Sequence, residues 1–307
     1  TLMRAITTAY AEKDHFEKGK VAMSGGSKNG ASPSMAIIHD ERMTAVHATV
    51  SPIWDSPLRL NDDQAWKELR AQGGRSGGFT GGHFGPNFNR RVLDSGGTWK
   101  DLQKFTRDIS DGVFISRNLD ALRKRKVDML FHPGTHDMVA FDMAWGGKHH
   151  PSIPVYLGAN SGHGKRGHPK TERDQNNKAA FMLKHFFPHH VKGDLLAPPK
   201  VQHTVKGKTI EVTVTFAEGS NEESGRIWWI FDRAPDGSPK YLTEMIPDEQ
   251  TMEMKKQGQS WSASIPLNPK AKRIDFFSNH RKTLRYEESP YRSYLSSPYT
   301  RVELKRR

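Results

Sequence analysis

Apolar and polar positions follow two different rhythms along this chain. Up to residue 190, short apolar runs of strand type alternate with amphipathic helical segments, which predicts a parallel α/β sheet. The predicted strands are residues 19–25, 43–53, 127–133 and 152–160, and the predicted helices are residues 29–41, 61–72, 98–109, 118–126 and 171–187. Beyond residue 200, β-branched and aromatic runs separated by Gly, Pro and Asn turns predict an all-β sandwich of immunoglobulin size.

The change of rhythm predicts a domain boundary. We expect an α/β domain over residues 1–190, a linker over 191–200 and an immunoglobulin-like β-sandwich over 201–307. Trp228, Trp229 and Trp261 fall within β-type apolar runs of the second domain, and are therefore predicted to be core residues.

A serine stands between the first predicted strand and its helix, in "SGGSKNG" (residues 24–30). A nucleophile at such a turn is lifted clear of the sheet, and the helix N-terminus offers N–H groups to a developing oxyanion. Ser27 is therefore a candidate nucleophile, with the Lys28 N–H as an oxyanion donor. Gly25 lies two positions before Ser27, but Asn29 replaces the second glycine of the usual G-x-S-x-G pattern. A plain glycine turn is the competing interpretation.

A serine nucleophile needs a base, and the base needs an orienting acid. Asp137 follows the predicted strand 127–133, and His163 lies in a Gly-Ser loop after the strand 152–160. The chain order serine, acid, histidine is that of the α/β-hydrolases. Three suitable residue types at the carboxyl ends of three strands favour a Ser27–Asp137–His163 triad over a glycine turn.

Other residues compete for these roles. Asp55 follows the second strand and is an alternative acid, and His168 is an alternative base. Asp142 is predicted to lie inside the next helix, and His136 to form a pocket wall. The glycine-rich segment 73–87 is too rich in glycine for regular structure, and we expect a mobile loop over the site.

Composition narrows the possible partners and ligands. The formal net charge is +13, but the basic residues are scattered and carry no nucleic-acid-binding fingerprint, so we expect no specific nucleic-acid partner. The small basic clusters favour an anionic substrate, or simply a solvated surface. There is no cysteine, and the histidine doublets 149–150 and 189–190 lack metal-ligand spacing, so no metal or cofactor is predicted. No apolar stretch is long enough to predict a membrane span.

These motifs resemble those of the PhoPQ-activated pathogenicity-related proteins. The likeness rests on the "SGGSKNG" elbow, the acid loop "HPGTHDMV", the histidine loop "GANSGHG" and the trailing β domain with "RIWWIFDRAPDG". It implies an α/β-hydrolase fold, export to the periplasm or medium, and Ser27, Asp137 and His163 as nucleophile, acid and base. Two departures are Asn29, where the family has arginine, and Pro33, which would interrupt a helix beginning at Lys28. A later helix start with Ser32 as the cap avoids that conflict.

An α/β-hydrolase sheet normally has about four strands before the elbow, and here only the elbow strand precedes Ser27. We therefore expect the C-terminal part of such a sheet, completed by an N-terminal fragment or a companion chain that also supplies the second oxyanion donor. The favoured function is hydrolysis of an ester or amide in a small-molecule or peptide substrate through an acyl-enzyme. The alternative is a catalytically degenerate hydrolase fold that acts as a binding or scaffold protein at the cell envelope.

Overall fold

Both rhythms of the sequence appear as sheets in a computed structural model of the protein. The structure describes residues 2–12, 19–57, 64, 94–137, 142–163, 167–172, 175–236 and 243–304. Only residue 64 of the predicted helix 61–72 is among them, and the whole glycine-rich segment 73–87 lies outside them. The described part is mixed α/β, with one parallel sheet and two antiparallel sheets.

The parallel sheet has the order β1 (Ala22–Gly26), β2 (Ala45–Thr49) and β3 (Asp128–His132). Strands β2 and β3 lie inside the predicted segments 43–53 and 127–133, and β1 ends one residue beyond the predicted segment 19–25, so the three strands are confirmed. The predicted strand 152–160 is not a regular strand. It follows β3 through two isolated parallel bridges, Phe131 to Val155 and Gly134 to Gly158. Hydrogen bonds to the β domain occupy part of its backbone, including one from Ser296 N–H to the Val155 carbonyl (2.8 Å).

Six helices are described. They are α1 (Leu2–Ala11), α2 (Lys28–His39), α3 (Trp99–Ser110), α4 (Ile115–Lys124), α5 (Met143–His149) and α6 (Asn177–Phe186). Thr98 and Asp101 form a capping box that starts α3. The Arg125 guanidinium, in the basic run 123–126, donates to the carbonyls of Ile37, Asp40 and Met43 and so holds the end of α2. This basic residue has a structural role.

Ten more strands follow among the described residues. They are β4 (Val191–Lys192), β5 (Lys200–Lys206), β6 (Thr209–Thr215), β7 (Ser224–Phe231), β8 (Thr251–Glu253), β9 (Lys255–Gln257), β10 (Ser260–Pro266), β11 (Arg273–Tyr286), β12 (Ser289–Ser296) and β13 (Thr300–Glu303). One antiparallel sheet has the order β5-β6-β10-β9. The other has the order β12-β11-β7-β8, with β4 and β13 also paired to β11. Trp228, Trp229 and Trp261 are buried, as predicted.

Strand residues occupy both ends of the predicted linker 191–200. Val191 pairs with Tyr286 of β11, and Lys200 already begins β5. The apolar pattern missed both, because a two-residue strand has no periodicity and the side chains of β5 are mostly exposed. The two parts of the chain also share a core, in which Ala45 and Leu130 pack in one cluster with Trp229. Among the described residues, no helix combines the length and the apolar character that crossing a membrane requires.

Candidate functional site

Ser27 occupies a strained backbone conformation at the junction of β1 and α2. Its φ of 57° and ψ of −127° lie in a region that non-glycine residues seldom adopt. The backbone around it is tied on both sides. The Ser27 N–H donates to the Thr49 carbonyl (3.0 Å), and the Ser27 carbonyl accepts from the Ala31 N–H (2.9 Å). A sharp strand-to-helix turn with a strained serine is the geometry of a nucleophile elbow.

Two glycines permit this turn. A Cβ on Gly25 would lie 2.0 Å from the Asn29 carbonyl oxygen, and a Cβ on Gly30 would lie 2.8 Å from the carbonyl oxygens of both Gly25 and Thr49. The second close approach therefore falls on Gly30 and not on position 29. The turn around Ser27 therefore has the pattern G-x-S-x-x-G, in which position 29 does not require glycine.

We expect Gly25→Ala to lower the free energy of unfolding by about 3 kcal/mol, because the new methyl group meets rigid backbone and the elbow must open. Gly26→Ala is the matched control, since the nearest atom to its Cβ is 3.9 Å away. Urea denaturation of both variants measures the difference. Equal unfolding free energies for the two variants would show that the close approach at Gly25 has no energetic weight.

Helix α2 begins at Lys28 with Ser27 as its N-cap residue, so the later start at Ser32 is wrong. Pro33 lies inside the helix and leaves the Asn29 carbonyl without its usual helical donor. In the same turn, the Ser34 hydroxyl donates to the Gly30 carbonyl (2.9 Å). As the first helical residue, Lys28 has a backbone N–H with no acceptor inside the helix, which suits it to bind an oxyanion beside Ser27.

Asp137 and His163 meet at the same edge of the sheet. The His163 Nδ1 lies 3.0 Å from Asp137 Oδ2. The Asp137 side chain is fully buried, whereas 34% of the His163 side chain is exposed. Asp137 is thus placed to hold the imidazole in one orientation while the ring stays accessible from solvent.

Three other aspartate–histidine pairs occur among the described residues. They are Asp55–His150, Asp128–His185 and Asp248–His168. His185 uses both ring nitrogens, one toward Asp128 (2.7 Å) and one toward the Thr44 hydroxyl (2.9 Å). Its aspartate also stands at the start of β3, whereas Asp137 follows the end of that strand.

In the pair of His168, the alternative base, the histidine is buried and the aspartate exposed, the reverse of the pair of His163 and Asp137. The His168 side chain is fully buried, whereas 77% of the Asp248 side chain is exposed. Burial lowers the pKa of His168, and its Nδ1 accepts the Lys170 backbone N–H (3.1 Å). An inaccessible ring of this kind supports the loop around it and is not placed to receive a proton from Ser27.

The alternative acid Asp55 pairs with His150 Nε2 (2.8 Å) and accepts the Ser116 hydroxyl (2.7 Å). Burial by itself would raise the pKa of Asp55, but these hydrogen bonds outweigh it and lower the pKa to about 2.

Asp142 is the N-cap residue of α5 and is not inside that helix. The buried His136 directs Nε2 to the Glu244 carbonyl (2.6 Å).

The β domain holds the acid and histidine loops in place. The Arg233 guanidinium donates to the Thr135 carbonyl in the acid loop and to the Tyr299 hydroxyl. In the histidine loop, the Asn160 side chain donates to the Ile246 carbonyl and accepts the Ile246 N–H, both at 2.8 Å. Arg233 and Asn160 were not predicted from the sequence, since contacts between residues 98 and 86 positions apart leave no local signal.

The structure does not join all three candidate residues. Among the described residues, no hydrogen bond links the Ser27 hydroxyl to His163. Residues 164–166, directly after His163, lie outside the described residues. Catalytic hydrogen bonds are often long in a free enzyme and tighten when substrate binds. Within the described ranges, no three histidine or acidic side chains lie close enough to hold a metal ion.

In comparisons with known proteins, no protein-family model, no curated protein and no solved structure matches the chain.

Proposed function

We propose that the protein is a serine hydrolase that cleaves an ester or amide bond through an acyl-enzyme. One observation carries the proposal, namely the Asp137–His163 hydrogen bond at the sheet edge where Ser27 forms a strained elbow. Hydrogen-bonded aspartate and histidine, with a serine on a strand-to-helix turn, are the parts of a catalytic triad.

Each group has a distinct role in the proposed reaction. His163 Nε2 takes the Ser27 hydroxyl proton as the oxygen attacks the substrate carbonyl, and returns it to the leaving group. The Asp137 carboxylate accepts the His163 Nδ1–H and stabilises the imidazolium. The Lys28 N–H donates to the oxyanion of the tetrahedral intermediate. Water then hydrolyses the acyl-enzyme, with His163 again as the base.

The order of the sheet supports an α/β-hydrolase fold as part of this proposal. Along the sheet, β1, β2, β3 and the bridged segment 155–158 lie side by side in chain order. Ser27, Asp137 and His163 follow the first, third and fourth of these, in the order typical of α/β-hydrolases. The same order agrees with the resemblance to the PhoPQ-activated proteins, and we assign the antiparallel sheets to the immunoglobulin-like sandwich that the pattern after residue 200 predicts.

We further propose that another strand covers the free edge of β1. Among the described strands, β1 pairs with β2 alone, and its residues are only half-buried where β2 is almost fully buried. A parallel strand usually has neighbours on both sides. An added strand at this edge would also bring a second oxyanion donor close to Ser27.

Labelling with a fluorophosphonate probe tests the hydrolase proposal. We expect a covalent adduct on Ser27, located by peptide mass spectrometry, and none on the Ser27→Ala variant. Ser24→Ala, three residues earlier on β1, is the matched control and keeps the adduct. A folded wild-type protein that takes no adduct, or takes it on another serine, overturns the proposal.

A second candidate function follows from the missing hydrogen bond between Ser27 and His163. The same fold then serves as a catalytically inactive binding or scaffold protein, with the substrate site kept for ligand recognition. Absence of labelling in a folded protein that still binds a ligand at this site supports that alternative.

A further inference from the structure

An open cavity of about 620 Å³ lies beside the elbow, between the start of α6 and the carboxyl ends of β2 and β3. His47 and Thr49 of β2 and His132 of β3 form one wall, and Asn177 and Lys178 of α6 form part of the other. Thr49 is also the residue whose carbonyl accepts the Ser27 N–H. One residue that lines the cavity is therefore hydrogen-bonded to the backbone of the candidate nucleophile.

Buried polar atoms without partners line this cavity. His47 is 5% exposed and Asn177 is 4% exposed. Among the described residues, four side-chain atoms of the lining have no hydrogen-bond partner: the nitrogens His47 Nε2 and Asn177 Nδ2 and the amide oxygens Gln175 Oε1 and Asn176 Oδ1. The other amide atom of Asn177, Oδ1, accepts the Tyr294 N–H, which leaves the NH₂ group as a free donor. An unpaired buried polar group costs about 1–3 kcal/mol, which a polar ligand in the cavity would offset.

The cavity has positive charge on the wall formed by α6. Lys178 lines it, and the first N–H groups of α6 have no acceptor within the helix. Asn176, the N-cap residue, makes no side-chain cap hydrogen bond. Burial, and then the charge of Lys178, lowers the pKa of His47 to about 4, so this imidazole is neutral near pH 7. None of the described lining residues is acidic.

We propose that this cavity binds an oxyanion of the substrate, a carboxylate or a phosphate, and that the ammonium of Lys178, the Asn177 NH₂ group and the start of α6 recognise it. The inference rests on the proposed hydrolase function, which it narrows to substrates with an anionic group on the acyl side. The neutral imidazole of His47 is placed to bind a hydroxyl or amide group of the same ligand.

Paired esters test the recognition of charge. The wild-type protein is expected to hydrolyse mono(4-nitrophenyl) succinate with a kcat/KM about tenfold above that for 4-nitrophenyl butyrate. Lys178→Met removes this preference. Asn177→Asp keeps the acceptor for the Tyr294 N–H but replaces the donor by a negative oxygen, so it reverses the preference. Lys184→Met is the matched control on the same helix, because Lys184 pairs with Asp194 (2.7 Å) away from the cavity. Equal preference in the wild-type, Lys178→Met and Lys184→Met proteins overturns the proposal.

A binding measurement separates this inference from the hydrolase proposal. Isothermal titration of the Ser27→Ala variant with succinate and, separately, with inorganic phosphate is expected to show saturable binding of at least one anion. The phosphate and succinate arms distinguish the two sources of the oxyanion. Adding Lys178→Met is expected to weaken that binding about tenfold. If the protein binds an anion but the wild type has no esterase activity, the hydrolase proposal is rejected and the anion site in the cavity is supported. Absence of binding for both anions rejects the cavity, whether or not Ser27 is reactive.

Discussion

The His163→Ala variant is expected to hydrolyse 4-nitrophenyl acetate with a kcat about 10⁵-fold below that of the wild-type protein. His163 is the histidine whose ring pairs with a fully buried aspartate and keeps a third of its surface accessible. Without it, the Ser27 hydroxyl has no base to receive its proton, and only binding and the oxyanion donors remain to accelerate the reaction. Steady-state kinetics at saturating ester measures the loss.

His168→Asn is the control for this result, because His168 is the alternative base. An asparagine Oδ1 can replace His168 Nδ1 as the acceptor of the Lys170 N–H. The variant loses the ring contact with Trp228, whose centroid lies 4.8 Å away, so we expect lower thermal stability. Its kcat is expected to stay within about threefold of wild type, since the ring is buried and contacts no reacting group. A larger loss in His168→Asn than in His163→Ala would make His168 the base.

The elements around the elbow were accessible to sequence analysis because their signals are local. The apolar run before Ser27 and the glycines around it predict the turn, and they depend on contacts within a few residues. The predicted helix 29–41 starts within one residue of α2, and only the alternative start with Ser32 as the cap was wrong. That alternative arose because a proline inside a helix is normally unfavourable. Here the helix nevertheless begins at Lys28 and contains Pro33, and the Asn29 carbonyl goes without its helical donor.

The parts that sequence analysis missed depend on long-range contacts. The segment 152–160, which leads to His163, is apolar enough to be predicted as a strand. It is not a regular strand, because its backbone hydrogen bonds are divided between β3 and the β domain. Arg233 is a charged residue that a composition argument places on the surface, whereas the structure buries it against the acid loop. Chain order predicts Asp137 as the partner of His163, but it leaves Asp55 as an alternative. The choice depends on the fold, in which Asp137 contacts His163 and Asp55 contacts His150.

Asp137→Asn is expected to lower kcat about 10⁴-fold with little change in KM. An asparagine donates where the carboxylate accepts, so the imidazole keeps its proton on Nε2 and can no longer take one from Ser27.

Asp55→Asn is the matched control, and its kcat is expected to stay near wild type while its stability falls by roughly 2 kcal/mol at neutral pH. The pKa of Asp55, about 2, lies below its unfolded value, so this stabilisation is present above pH 4 and is lost as the pH falls toward 2. Urea denaturation at pH 7 and pH 3 measures it. If Asp55→Asn lost activity and Asp137→Asn kept it, Asp55 would be the acid of the triad, and the pair at 3.0 Å would be structural.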